Sequence, residues 1–132
     1  MADKEILKRL EEIEARVAGT IPGPWRVVLN QEEDFFEIRT DGPGATVHIA
    51  TLIKANWHTA DFIACTREDV PWLCELARKL LAVAEAAREF YDAIYNEKNV
   101  YETWPDIMER QEVYEAGNRL RKALATLEEV EG

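Results

Sequence analysis

The stretch 56-NWHTADFIACTREDVPWL-73 decides how the second half of this chain is read. Ala60, Ile63 and Ala64 recur at helical spacing, and Asn56 or Thr59 can accept the first free backbone N–H groups as a cap. Pro71 lacks the N–H that a helix interior uses, so it argues against continuing the same helix. Asp69-Val70-Pro71 also makes a good helix start, with an aspartate cap and proline in the first turn. The spacing therefore predicts a short helix that stops at Pro71 and a second, longer one that begins there.

Downstream, Leu73, Leu76, Leu80, Val83, Ala87, Phe90 and Ile94 repeat at intervals of three and four, which predicts a long amphipathic helix. The pattern breaks around Asn96–Asn99. Trp104-Pro105-Asp106 opens a last helix, which carries Ile107, Met108, Tyr114, Leu120, Leu124 and Leu127. Upstream, 20-TIPGPW-25 places two prolines around a glycine and forbids helix. Three strand-like runs follow it, Trp25–Leu29, Phe35–Thr40 and Thr46–Leu52. Their short connections, Gln31-Glu32-Glu33-Asp34 and Asp41-Gly42-Pro43-Gly44, favour an antiparallel meander. Alternation in Phe36 and Ile38, and in Val47 and Ile49, predicts one buried face. Residues 3–18 place Ile6, Leu10, Ile13 and Val17 on one stripe of an N-terminal helix that Gly19 ends. The expected fold is α+β, a small antiparallel sheet with an N-terminal helix and a long C-terminal antiparallel helix pair. It forms a single domain over 1–132, with the N-terminal helix at 1–19, the sheet at 20–53 and the helical part at 56–130.

The chain has 132 residues and a formal net charge of −10. That length suits one domain able to bury a core. No apolar run approaches the roughly 20 residues of a membrane span, and no secretory leader opens the chain, so the default location is the cytoplasm. The acidity argues against general nucleic-acid binding, which needs clustered Lys and Arg, but leaves room for one small phosphorylated ligand in a locally positive pocket. Cys65 and Cys74 match no zinc or redox spacing. Nine residues turn a helix by about 180°, so the two thiols face opposite ways and read as small apolar packers.

Candidate chemistry is sparse. His48 and His58 are the only histidines, and neither belongs to a recognisable nucleophile–base or metal-ligand spacing. His48 reads as a solvent-facing or cross-strand residue. No phosphate loop is present, so the reading is of a protein that is not an enzyme, with no cofactor and no metal. Binding residues are easier to find. Phe62 offers a flat surface for a base, and Arg67 offers a guanidinium for phosphate. Asn56 and His58 lie at the start of the same helix, whose free N–H groups favour anions. Arg26 and Arg39 on the strands and Lys54 at the strand exit supply further cations. The plain alternative is that Phe62 is core and that Arg67 pairs with Glu68 or Asp69 or caps a helix end. Apolar character on more than one side of the long helices, as in Leu80 with Leu81 and Phe90 with Tyr91, suggests a dimer or larger assembly.

Taken together, 23-GPW-25, a short sheet and 60-ADFIACTREDVPWL-73 resemble a pattern of small phage and prophage proteins described as Ead-like. The layout is similar to that of the Thoeris anti-defence proteins of the first type, which sequester cyclic ADP-ribose-like immune messengers and in some cases CBASS cyclic oligonucleotides. The resemblance covers roughly residues 20–95. Phe62, Ile63, Ala64, Arg67, Asp69, Val70 and Pro71 match the pattern. Thr59 stands where it has Asn, Asp61 holds the acidic position, and Cys65-Thr66 replaces the residues before the arginine. The resemblance implies that Phe62 stacks on a base and Arg67 contacts phosphate, with Asp69 and Pro71 structural and Asn56 able to compensate for Thr59. It also implies a homo-oligomer, a dimer or hexamer, with pockets at subunit borders, working in the cytoplasm of an infected bacterium. Two other functions stay open. One is an acidic protein-binding module that inhibits or mimics a host partner, and the other is a hydrolase of the same messengers.

Overall fold

The computed structural model describes residues 2–42, 45–54, 56–95 and 110–129. The chain divides into two compact units, Met1–Cys74 and Glu75–Gly132.

The first unit begins with helix α1, Ala2–Ala18, whose first turn carries Asp3 and Glu5 and whose last turn carries Arg16. Acids at the start and a base at the end suit the helix dipole. The Gly19 amide bonds the Ala15 carbonyl, and the Thr20 hydroxyl donates to the Val17 carbonyl at 2.7 Å, so the helix closes where the glycine predicts. Leu10, in the middle of the expected stripe, is buried, whereas Ile6 and Leu7 are exposed.

Strands β1 (Trp25–Asn30), β2 (Phe35–Gly42) and β3 (Ala45–Leu52) form an antiparallel sheet in the order β1-β2-β3. This is the expected meander. Pro43 and Gly44 of its second turn lie outside the described residues. Ile38 sits opposite Val27 on one side and Ala50 on the other. It is fully buried, together with Ala60 and Ala64 of the following helix, and Trp25, Val27, Phe36, Leu52 and Ile63 pack around them. The alternation does not hold throughout β3. A register shift between Ile38 and Arg39 pairs Ile38 with Ala50 but Arg39 with His48, and Val47 ends 40% exposed. The extra residue of a bulge changes which side chains point inward, which breaks a period of two.

Helix α2 runs without interruption from Trp57 to Tyr95, with Pro71 inside it. This corrects the two-helix reading at Asp69-Val70-Pro71. Proline removes one backbone bond and costs about 3 kcal/mol in a helix interior, but the flanking turns are committed on both sides. Ala60 and Ala64 are clamped to the sheet, and the apolar positions from Leu73 onward keep their helical period. Tertiary burial then outweighs the local preference.

The second unit holds the remainder of α2 and helix α3, Gln111–Glu128. The pair is antiparallel. Ile94 and the fully buried Val113 meet at one end with Phe90 and Ala93, and Arg119 reaches Glu89 at 2.9 Å. The expected start of this helix at Trp104-Pro105-Asp106, with Ile107 and Met108, lies outside the described residues. No described helix is long and apolar enough to cross a membrane.

Candidate functional site

Of the residues expected to form a site, Lys54, Asn56 and His58 lie at the start of α2. Asn56 caps it: its Oδ1 accepts from the Thr59 amide at 2.9 Å, and its carbonyl accepts from the Ala60 amide. The carboxamide oxygen is thus committed to the helix end. We expect Asn56→Ala to cost about 1 kcal/mol of stability, the usual loss for a removed cap, read as a lower midpoint in thermal denaturation. An unchanged midpoint would show that the cap bond contributes nothing. His58 follows on the first turn and is exposed, as is Lys54, which takes a left-handed backbone angle (φ 61°) in the connection before the helix. Trp57 leans edge-on against Phe36, with ring centres 6.1 Å apart, and so ties the helix start to the sheet.

Phe62 is not part of the core. It is 70% exposed, on the side of α2 away from Ala60 and Ala64. Arg67 stands five residues on, about 140° round the helix, and is held inside the chain. Its Nε donates to the Ile21 carbonyl at 3.2 Å, and the same carbonyl accepts the Trp25 indole N–H at 3.0 Å. Ring and guanidinium therefore do not face one common space within a single chain. Arg67 also forms the seat of the Gly-Pro-Trp turn. A side chain at Gly23 would lie 2.6 Å from the Arg67 Cγ and 2.9 Å from Glu68 Oε1, so only glycine lets the turn rest on the helix. The Thr40 hydroxyl, buried beneath, lies 3.0 Å from the Pro22 carbonyl and 2.9 Å from the Pro24 carbonyl.

Arg26 is not brought to Phe62. Its neighbours Trp25 and Val27 point toward α2, so strand alternation sends Arg26 to the opposite face of the sheet. There it forms a two-pronged pair with Asp41, at 3.1 and 3.2 Å. Arg39 on the same face bonds the buried Glu37 at 2.7 Å. Both strand cations are satisfied by the chain's own acids. His48 lies within 2.8 Å of the Thr51 hydroxyl.

Cys74 is buried but Cys65 is exposed, so the packing role expected of both thiols holds for Cys74 alone. Desolvation at the helix surface, followed by the charges of Asp61 and Asp69 about one turn to either side, pushes the Cys65 thiol above its ordinary value. It stays protonated at neutral pH and is a poor nucleophile. Among the described residues, no three His, Cys, Asp or Glu side chains come together in a group able to hold a metal ion.

Two of the hollows lined by described residues lie away from these site residues. One runs along α1 beside Ile6, Leu10 and Ile13, and the other lies on α3 beside Phe90, Tyr114, Gly117 and Arg121. The second was missed in the sequence, where Gly117 within an apolar helical pattern was the available signal. Compared with family models, curated proteins and solved structures, the chain matches none of them.

Proposed function

We propose that the chain is a non-catalytic binding protein that captures a cyclic nucleotide immune signal, a cyclic ADP-ribose isomer or a CBASS cyclic oligonucleotide, and withholds it intact. The setting is a bacterial cytoplasm during phage infection, as for the phage anti-defence proteins it resembles. Phe62 carries this reading. A phenyl ring 70% exposed beside a capped helix start has no internal role, and stacking on a base would bury it. Lys54, His58 and the positive end of α2 favour an anion nearby. Because Arg67 turns toward Ile21, the phosphate contact must be completed from outside the chain, and a second copy is the natural source. Isothermal titration with cyclic ADP-ribose isomers and with cyclic di- and trinucleotides tests the proposal, followed by mass spectrometry of the recovered ligand. Saturable heat and intact ligand support it. Heat with none of them removes it, and a cleaved ligand replaces it with a hydrolase.

A second reading has its own support. Within the second unit, Leu80 is about half exposed on α2 and Tyr91 more so, on a chain of net charge −10. Apolar side chains within an acidic surface suit a protein-binding module that occupies a basic partner. Capture of a protein that survives Phe62→Ala and is lost in Leu80→Asp would favour this reading over messenger capture.

A further inference from the structure

The second unit contains a feature that neither reading uses. A partly open hollow of about 230 Å³ lies on α3 against Phe90 of α2, with Tyr114 and Leu124 exposed at its rim. Phe90, Val113, Tyr114, Leu120 and Leu124 line it, and Arg121 is the one charged residue among its described lining. Three observations converge on it. The first is Gly117 in the interior of α3, where glycine costs about 1 kcal/mol relative to alanine. The second is what that glycine makes room for. A Cβ there would sit 3.3 Å from the Phe90 ring and 3.9 Å from a terminal nitrogen of Arg121. The missing side chain thus lets the ring approach α3 closely, while the guanidinium lies at ordinary contact distance one turn away.

The third is charge. The described partner of Arg121 is a neutral group, Asn118 Oδ1 at 3.0 Å, and no carboxylate is among the described residues of the lining. On a chain of net charge −10, an arginine without an acid partner at an apolar cavity selects for a ligand with an apolar body and one negative charge. The volume lies below the roughly 300–1,000 Å³ of sites for drug-sized molecules. It suits a small ligand and is too small for a cyclic dinucleotide.

We propose that this cavity binds a small amphipathic monocarboxylate, such as a medium-chain fatty acid, with its chain on Phe90, Leu120 and Leu124 and its carboxylate on Arg121. Decanoate, with decanol as its neutral counterpart, is the probe. Binding is followed by calorimetry and by amide chemical shifts in the full-length protein. Decanoate should bind saturably and shift the Gly117 and Phe90 amides. Arg121→Gln should weaken decanoate about tenfold, leave decanol unchanged and keep the melting point of the parent. Phe62→Ala should leave decanoate binding untouched, which separates this site from the messenger reading.

No saturable binding at millimolar decanoate overturns the proposal. So does equal affinity in Arg121→Gln, or amide shifts that bypass Gly117 and Phe90. If instead Arg121→Gln changes the sedimentation of the protein and decanoate does not bind, the cavity receives a second copy and the ligand proposal falls.

Discussion

Ile38→Ala is expected to destabilise the protein by about 3–4 kcal/mol, toward the upper part of the range for a large aliphatic cut to alanine. Ile38 has no exposed surface and sits on the central strand, with Val27 and Ala50 as its lateral neighbours. Above it lie Ala60 and Ala64, whose methyl groups are too short to move into the space left behind. The ring of larger side chains around them is anchored elsewhere, as Phe36 is by Trp57. The site therefore relaxes poorly and keeps most of its cavity. Domain stabilities are about 5–15 kcal/mol, so this single change removes a large share of what holds the first unit together. Urea denaturation followed by circular dichroism measures it, and a loss below about 1 kcal/mol would show that the sheet–helix core repacks freely.

Much of the fold could be read directly from the sequence. The stripe Ile6, Leu10, Ile13 and Val17 with Gly19 behind it fixes α1 to within a residue at its start, and the three strands differ from their expected limits by one or two residues. What local pattern missed depends on contacts distant in sequence. Pro71 is a strong local breaker, and only the packing on either side explains why α2 passes through it. The bulge beside Arg39 arises from pairing, and it undid the inward placement of Val47.

The candidate site divides in the same way. Arg26 could have been excluded by parity, since an inward Trp25 dictates an outward neighbour. Arg67 could not, because its bond to Ile21 spans 46 positions. That bond gives a physical meaning to the resemblance itself. Gly23 and Arg67, which lie far apart in the quoted motifs, form one joint in which the glycine turn rests on the arginine stem. Part of the motif thus encodes packing, whereas Phe62 is a matched position that stays exposed.

Phe62→Ala separates those two roles. If the ring stacks on a base, its removal should cost about 1–3 kcal/mol of binding, at least a fivefold loss of affinity for whichever cyclic nucleotide binds the parent. Stability should hardly change, because a side chain 70% exposed leaves no buried cavity when it is cut back. Arg67→Ala should behave in the opposite sense. It withdraws a donor from the Ile21 carbonyl and the stem on which Gly23 rests, so it should lower the melting point before it touches affinity. The pair of variants is read together by titration and thermal denaturation. A Phe62→Ala protein that melts early would place the ring in the core, and one that binds as tightly as the parent would end its role as a stacking surface. An Arg67→Ala protein that keeps its melting point and loses binding would return the guanidinium to the ligand and make the Ile21 contact incidental.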